Sequence, residues 1–462
     1  MTAPALLRLW CGIRAPVSRW VYLASGVSLV LAKYLVEAGV IRGLGGRWMT
    51  PLEFISPFLS TRSSLFEGLP DWLGWAVFAW NVPFVWIAVS MSVRRAAAAG
   101  LSPWLGLTVV APFVNLVIMA LLSILPDTAT QGWRPAAPVD ESGRLEADDV
   151  SRILKAVGAA FGVGAGMFLF TVYAINTYAA AFFLGTPLVM GVVAGFLYNR
   201  PTPRTLRGTT RLGTVVMLVA GGFLLLFAFE GLICLVMAVP LATPLTILGA
   251  MLGKGVADST PTATRQLLAI VASLPLLAGA EAILTPLPEY CVRTTVDIDA
   301  PREAVWRHVV SFPDIPPSTD WFFAIGIACP QRARIEGTGV GAVRHCEFTT
   351  GDFVEPITAW DEPARLAFDV REQPDPMVEL SPWRDVRPPH LHDHSLRSRR
   401  GEFLLVDLGG GRTRLEGRTW YTFDMHPQGY WTLWSDLSIH KIHRRVLEHV
   451  KRLAEADVDG SD

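Results

Sequence analysis

The sequence predicts a multi-pass α-helical membrane domain of about eight spans, followed from residue 287 by a soluble α+β domain. Three observations support this prediction. Before residue 287 lie nearly uncharged apolar runs of about 20 residues, the length that crosses the hydrocarbon core of a bilayer as a helix. Residues 1–286 carry 19 Lys/Arg and 13 Asp/Glu, whereas residues 287–462 carry 21 and 28. All nine histidines lie in the second region, where short strand patterns alternate.

The apolar runs fall into two blocks. A three-span block covers residues 1–126, a five-span block covers residues 154–286, and the polar, acidic linker 127–153 divides them. Aromatic residues near several span ends fit an interfacial belt. The predicted spans cover residues 20–41, 72–92, 102–125, 156–176, 179–198, 212–229, 231–253 and 266–286.

Three charged residues lie within or between these spans. Lys33 and Glu37 are four residues apart, so they can pair on one helix face; the alternative is a part in an ion or substrate path. Glu230 interrupts an apolar stretch about twice as long as one span. We therefore interpret Glu230 and the glycine after it as the turn between two spans, with the carboxylate at an interface. The alternative is a buried proton relay.

Two patterns disagree about the side of the membrane on which the termini lie. Loops after odd-numbered spans hold 13 Lys/Arg and the other loops with the N-terminal segment hold 5, so the positive-inside rule places both termini outside. The segment RRAAAAGLSPWLGL, however, resembles the Arg-Arg-x4-Gly-x-Ser-x-Trp pattern of a small bacterial inner-membrane family of unknown function, although it lacks the His-Asp that usually follows the arginines there. In that family the two arginines, here Arg94 and Arg95, lie in a cytoplasmic loop. We therefore expect a multi-pass inner-membrane protein with a cytoplasmic C-terminal domain.

The elements of the C-terminal domain follow in order. CVRTTVDIDA alternates apolar and polar residues, which predicts a strand. PREAVWRHVVSF predicts a helix that begins at Pro301 with one apolar face, and WFFAIGI is a second short apolar segment. Short strands separated by turns come next, with the clearest hairpin at Gly409–Gly411. A long helix over about residues 434–456 closes the domain.

A strand, helices, a curved antiparallel sheet and a long final helix form the helix-grip arrangement. Residues 287–462 resemble the START-like superfamily, and within it the polyketide cyclase/dehydrase and lipid-transport group. VDIDAPREAVWRHV, GTGVGAVRHCEFTTGDFVEPITAWDEPARLAFDV, GGGRTRLEGRTWY and IHKIHRRVLEHVKRLAEA carry this resemblance. It implies a ligand-binding domain with an apolar cavity between the sheet and the last helix, and a shared binding role that uses no metal.

Aromatic residues are unusually frequent in this domain, and they either line such a cavity or fill it as core. On one strand, Arg344, Cys346 and Phe348 share a face that alternates with Val343 and His345. Alternation does not decide which face is internal, and we assign Arg344 and Phe348 to the cavity. The predicted ligand contacts are Trp321, Phe323, Arg344, Phe348, Glu379, Trp383, His390, Trp420 and Trp434.

The stretch PPHLHDHS holds three histidines and an aspartate, which can supply part of a zinc site. In an extended chain, however, His392 and His394 point away from Asp393, and nothing supplies a third ligand. A second hypothesis is a lid over the cavity mouth, in which His390 and Glu379 contact a ligand head group. A third is a solvated loop. We predict the lid and no metal.

No Gly-x-Ser-x-Gly, Walker loop or HExxH motif is present, so the sequence predicts no catalytic residue and no cofactor. We expect the domain to bind a hydrophobic small molecule or lipid, with the bilayer as its other partner and no nucleic acid. One alternative is a membrane-tethered cyclase- or dehydratase-type enzyme with His390 or His345 as acid or base. Another is a ligand-responsive sensor or scaffold. Ligand identity and oligomeric state stay open.

Overall fold

The structure is a computed structural model of the chain. It describes residues 3–12, 16–55, 65, 69–70, 72–101, 105–106, 109, 114–127, 147–200, 202–259, 264–284, 287–381, 386, 388–392 and 395–459.

Within these residues the region before residue 287 is mainly helical. Its helices are α1 (Ala3–Cys11), α2 (Arg19–Gly45), α3 (Pro51–Ile55), α4 (Trp72–Ala98), α5 (Val114–Ile124), α6 (Ala147–Phe168), α7 (Thr186–Asn199), α8 (Leu206–Leu226), α9 (Leu232–Ser259) and α10 (Thr264–Leu284), with π-helical turns at Leu169–Ala174 and Ala181–Gly185. Local sequence explains some of these ends. Pro51 begins α3, where its missing N–H costs nothing, and Gly46 ends α2 at a left-handed φ of 67°.

Six helical segments among the described residues are long and apolar enough to cross a membrane. They are Arg19–Gly45, Ser151–Ala174, Ala181–Asn199, Leu206–Leu226, Leu232–Ser259 and Thr264–Leu284. They coincide with six of the predicted spans. The other two predicted spans fall on α4 and on the shorter α5, so a total of eight is not confirmed. Large apolar side chains on these segments face outward, with Leu218 70%, Leu276 74% and Ile283 84% exposed.

Two charged clusters lie on these helices. Lys33 Nζ lies 2.6 Å from Glu37 Oε1, which confirms the predicted pair. A second cluster was not predicted: Lys254 Nζ lies 3.1 Å from Asp258 Oδ2 and 3.1 Å from Asn199 Oδ1, and all three side chains are buried. Because each charge has an opposite partner within reach, helix packing explains both clusters.

The paired arginines lie within α4, which continues beyond the predicted span end, and not in a loop. Both guanidinium groups are buried. Arg95 Nε donates to the carbonyl of Leu122 at 2.8 Å, and Arg95 Nη1 lies 2.6 Å from Asp127 Oδ1. Arg94 Nε donates to the carbonyl of Ser90 at 3.1 Å. The expectation of a loop position is therefore wrong, and the side of the membrane stays a prediction.

The C-terminal region alternates strands and helices as the sequence predicts. Its elements are β1 (Glu289–Ile298), α11 (Arg302–Val310), α12 (Trp321–Ala324), β2 (Pro330–Glu336), β3 (Val343–Phe348), β4 (Gly351–Asp361), β5 (Arg365–Asp369), α13 (Pro389–His392), β6 (Leu396–Gly409), β7 (Arg412–Phe423) and α14 (Gln428–Asp459). The final helix begins six residues earlier than predicted, because Pro427 precedes it and the apolar spacing continues upstream.

The seven strands form one antiparallel sheet in the order β1-β7-β6-β5-β4-β3-β2. The β6–β7 hairpin turns through Gly409, Gly410 and Gly411, whose φ angles of 78°, 64° and 72° disfavour any residue with a Cβ. The sheet curls around α14, which packs on β1, β7 and β2. This is the helix-grip arrangement that the sequence predicts.

The main core of this region lies between the sheet, α11 and α14. Alternation along β3 buries Arg344, Cys346 and Phe348, whereas contact of Arg344 and Phe348 with a ligand stays a prediction. The buried members of this core are Ile298, Ala300, Ala304, Val305, Trp306, Val309, Phe312, Ile315, Ala328, Ala333, Ala342, Cys346, Phe348, Ile357, Leu366, Phe368, Leu405, Leu415, Val446, Leu447, Val450 and Ala454.

The chain folds as two compact units. The first contains residues 1–163, 187–217 and 243–273, and the second contains residues 164–186, 218–242 and 274–462. In the second unit, apolar residues from the helical region join the C-terminal region in one cluster. Its buried members are Phe168, Val172, Tyr178, Val292, Tyr421, Phe423, Met425, Trp431 and Ile439. The C-terminal region therefore shares a core with the helical segments of its unit.

A histidine on α14 is held in a neutral setting. His443 Nε2 lies 2.7 Å from Thr419 Oγ1, and His443 Nδ1 lies 3.1 Å from Thr294 Oγ1. Burial, and next the neighbouring His440, lowers the pKa of His443 from 6.5 to about 3. The folded protein therefore keeps this imidazole uncharged under conditions in which an unfolded chain would protonate it.

This pKa predicts an acid-sensitive fold. Between pH 6.5 and about 3, unfolding takes up a proton at His443, so stability present above pH 6.5 is lost as the pH falls. One such proton contributes about 1.4 kcal/mol per pH unit. Between pH 6 and 4, the unfolding free energy of His443→Gln should therefore fall less steeply than that of the wild type. The two slopes should differ by up to about 1.4 kcal/mol per pH unit. Unfolding of the full chain in detergent, followed by tryptophan fluorescence, measures it, with His345→Gln on the other face of the sheet as control.

Candidate functional site

A buried ion pair lies inside the helix grip. Arg344 on β3 and Glu355 on β4 are directly opposite in register, so their side chains leave the sheet on the same face. Arg344 Nη1 donates to Glu355 Oε2, and the side chains are only 2% and 7% exposed. Because a buried charge costs several kcal/mol unless it is paired, the burial of each residue depends on the other.

Aromatic rings surround this pair. The guanidinium carbon of Arg344 lies 5.5–5.7 Å from the ring centroids of Phe312, Phe368 and Phe403. Arg344 Nε has no hydrogen-bond partner among the described residues, and the same holds for Nε2 of His449 on α14, whose ring lies 5.7 Å from that of Phe312. Unsatisfied polar atoms beside aromatic walls are typical of a small-molecule site.

The charges of this interior balance. Burial raises the pKa of the Glu355 carboxyl, and the Arg344 guanidinium opposes that rise. Burial also lowers the pKa of His449, so its imidazole is neutral at neutral pH. The backbone of Pro313 takes a hydrogen bond from this ring, which leaves Nε2 as the acceptor. The interior therefore offers one donor and one acceptor without net charge.

A second group of polar side chains lies where Glu379 and His390 meet the start of α9. Glu379 Oε2 accepts a hydrogen bond from the backbone N–H of Ile233 at 3.0 Å, and Oε1 accepts one from Cys234 at 3.1 Å. The carbonyl of Leu380 accepts one from the N–H of Leu232 at 2.8 Å. A carboxylate at this position satisfies N–H groups that have no partner within the helix, and it lies at the positive end of the helix dipole.

Three metal-ligating side chains meet beside this contact. Cys234 Sγ lies 3.2 Å from His390 Nε2, and His390 Nδ1 lies 3.7 Å from Glu230 Oε1. All three side chains are buried, and the ring of Tyr178 meets that of His390 edge-on at 5.2 Å. This geometry fits either a hydrogen-bonded thiol–imidazole pair or the ligand set of a metal ion.

Burial controls the protonation of this cluster. It raises the pKa of Glu230, and the nearby carboxylate of Glu379 adds to the rise. It lowers the pKa of His390 to about 4, so the imidazole is neutral at pH 7 and keeps one nitrogen lone pair free. Glu230 lies in the predicted turn between α8 and α9, and its carboxylate is buried.

The structure brings some of the predicted ligand residues together and separates others. Arg344 and Phe348 lie inside the helix grip. Glu379 and His390, in contrast, contact the start of α9, and His390 is only 7% exposed. Ligand contact by these two residues stays a prediction. Trp383, like Asp393 and His394, lies outside the described residues.

The remaining predicted aromatic residues do not gather around Arg344. Trp321 is 69% exposed, and Phe323 packs with Ile233 in a small separate cluster. Trp420 lies on the outer face of the sheet, with the guanidinium of Arg400 4.5 Å above its ring. Trp434 packs against the cluster that β7 and α14 share with the helical segments. Ligand contact by these four residues stays a prediction.

Sequence reasoning missed His449 and Cys234. For His449 a signal was present, because Val446, His449 and Val450 follow helical spacing and place the imidazole on the apolar face of α14. For Cys234 there was none, because only the fold brings His390 beside it, 156 residues away. Spacing within one segment does not predict such a contact.

Comparisons with known proteins find similarity only to solved structures, and at low identity. No protein-family model and no curated protein sequence matches the chain. Among solved structures, a norcoclaurine synthase from Thalictrum flavum is 11% identical, with 38% of this chain and 99% of that chain covered and a TM-score of 0.26. The Zhui aromatase/cyclase from Streptomyces sp. R1128 is 15% identical, with 37% and 96% covered and a TM-score of 0.24.

A third solved structure, the di-domain aromatase/cyclase BexL, is 13% identical, with 42% of this chain and 58% of that chain covered and a TM-score of 0.24. These likenesses cover at most 42% of this chain. At such scores they carry no argument about what this chain binds or catalyses. The description of the C-terminal region as a curled antiparallel sheet with a final helix rests on its own strand order and contacts, and the START-like likeness remains a resemblance.

The interior ion pair predicts unequal effects of single and double substitutions. We expect Arg344→Met to destabilise the protein by about 3–5 kcal/mol, because it leaves Glu355 buried and unpaired. The double variant with Glu355→Met removes both charges and recovers most of this loss. Apparent unfolding temperatures of the full chain in detergent measure both effects, and equal losses in the single and double variants contradict the prediction.

The contact of Glu379 with α9 predicts a local loss of stability. We expect Glu379→Ala to cost about 1–2 kcal/mol, because two backbone N–H groups at the helix start lose their acceptor. Protease cleavage near residue 380 then becomes faster in the full chain. The exposed Glu372→Ala is the control and leaves both measurements unchanged. Gly231→Ala tests the same contact, because a Cβ there collides with the Glu379 side chain.

Proposed function

We propose that this chain is an integral membrane protein whose START-like domain binds a hydrophobic small molecule or lipid inside the helix grip. The observation that carries the proposal is the internal Arg344, which faces phenyl rings and keeps Nε without a hydrogen-bond partner among the described residues. An apolar guest with one carbonyl or hydroxyl group fits this setting, because its oxygen can accept from Nε while its apolar part contacts the rings.

His449 supports the same site from the opposite side. It lies on α14 and its Nε2 is available to accept a hydrogen bond, whereas Arg344 lies on β3 and offers a donor. Phe312 contacts both side chains. A guest hydroxyl therefore meets complementary partners on the sheet and on the final helix. The balanced charge of Arg344 and Glu355 favours a neutral guest.

Membrane embedding is the second part of the proposal. Six apolar helical segments with outward-facing leucine and isoleucine side chains support it, because water would disfavour so much exposed apolar surface. We assign the protein to an inner membrane with the C-terminal domain in the cytoplasm, following the resemblance around Arg94 and Arg95. A domain beside the bilayer meets apolar guests at raised effective concentration.

The alternative of a cyclase- or dehydratase-type enzyme receives less support from the positions of its candidate bases. His345 lies on the face of β3 opposite to Arg344, and His390 contacts Cys234. Neither imidazole is placed inside the helix grip. A sensor or scaffold role is supported by the shared core of the C-terminal region and the helical segments. That role also requires a bound guest, so the same experiment comes first.

Native mass spectrometry of the full chain in mild detergent tests the proposal. Monoolein is the added probe, because it is neutral and combines an apolar chain with an ester carbonyl and hydroxyl groups. We expect one bound monoolein, or one co-purifying compound of similar character that monoolein displaces. The variant Arg344→Met/Glu355→Met should bind at least about tenfold more weakly, since the polar anchor contributes roughly 1.5 kcal/mol.

A matched control removes an ion pair from the other face of β3. Arg332 Nε lies 2.6 Å from Glu347 Oε2 on the outer side of β2 and β3. Arg332→Met/Glu347→Met should leave binding unchanged. Absence of any guest from the wild-type protein, or equal binding by both double variants, contradicts the proposed site.

A further inference from the structure

A cluster of metal-ligating side chains lies away from the interior site, in the second compact unit. Glu230, Cys234 and His390 each offer one ligand atom, and these atoms all lie within 4.8 Å of one another. Two of the residues flank the start of α9, and the third lies on α13. Carboxylate, thiolate and imidazole are a common ligand combination for zinc and related ions.

The spacing suits a tetrahedral ion. With bonds of about 2.0–2.3 Å, such an ion holds its ligand atoms roughly 3.3–3.8 Å apart. Cys234 Sγ and His390 Nε2 lie 3.2 Å apart, which is close to this value. The remaining separations reach at most 4.8 Å, so side-chain rotation of Glu230 brings its carboxylate into range.

Unsatisfied atoms provide independent support for an ion. Glu230 Oε2 is buried and has no hydrogen-bond partner in the described part of the chain, and the same holds for His390 Nδ1, which carries the ring proton when Nε2 binds the ion. A buried carboxylate without full compensation is costly, and a divalent cation offsets that cost directly. The cluster therefore offers the carboxylate charge and the unshared electron pairs that a cation requires.

Glu379 does not belong to the ligand set, because both of its oxygens accept backbone hydrogen bonds from α9. One of those donors is the N–H of Cys234 itself. The contact therefore fixes the backbone of a ligand residue, as hydrogen bonds around metal centres commonly do. It also places a second negative charge near the site, which strengthens cation binding.

We propose that Glu230, Cys234 and His390 bind one divalent transition-metal ion, and that zinc suits this ligand set best. Three protein ligands leave one tetrahedral position for water or another small ligand. Cys234 loses its thiol proton to solvent when the ion binds. The bound ion ties the segment that carries His390 to the turn that carries Glu230. This inference is independent of the guest inside the helix grip.

The test uses the full chain purified in detergent and stripped with a chelator. Titration with zinc, followed by elemental analysis of the desalted protein, should give one ion per chain. Replacement by cobalt(II) should produce a thiolate-to-cobalt absorption band in the near ultraviolet. Cys234→Ser should abolish that band, and Cys234→Ser, His390→Gln and Glu230→Gln should each weaken zinc binding by at least about 100-fold.

Matched controls are available on the same chain. Cys291→Ser and His440→Gln replace an exposed thiol and an exposed imidazole, and both variants should keep one zinc and the cobalt band. The elution volume and the thermal unfolding of each variant in detergent report whether it is folded. Absence of a thiolate band from cobalt-treated wild-type protein overturns the proposal, even if Cys234→Ser fails to fold. Stoichiometric zinc that persists in folded Cys234→Ser also overturns it.

Discussion

The contact between Glu379 and the first turn of α9 is the constraint on which the arrangement of the second unit depends. A helix start leaves several backbone N–H groups without partners, and burying them without an acceptor is unfavourable. Glu379 supplies that acceptor from a segment of the C-terminal region. Leu380 adds a backbone hydrogen bond to the same turn, and Gly231 leaves room for the carboxylate.

Further contacts lie beside the same helix start. His390 packs there against Cys234 and Tyr178. The shared apolar cluster also joins the C-terminal region to the helical segments of this unit. In it, Trp431 and Tyr421 are buried together with Phe168 and Val172. Domain and helices in this unit therefore fold as one cooperative body.

The sequence predicts the architecture well and the polar contacts poorly, for a physical reason. Strand alternation, glycine turns and helical spacing are local, so β3 and the hairpin at Gly409–Gly411 follow from a few neighbouring residues. The sequence alone does not decide which face of β3 points inward, because both faces contain apolar and charged residues. The fold shows that the face with Arg344 is the buried one. The cluster of Cys234 and His390 lies beyond any local pattern, because tertiary contacts alone assemble it.

Charge balance separates the two sites that the fold creates. Arg344 and Glu355 neutralise each other inside the helix grip, so a guest there gains most from apolar contact and a single polar group. Glu230 and Glu379 bring two carboxyl groups to the start of α9, at the positive end of the helix dipole and beside an uncharged His390. Under the two proposals, the interior of the helix grip binds a neutral guest and the cluster beside α9 binds a cation. Ligands of opposite character can thus occupy one unit without competing for the same residues.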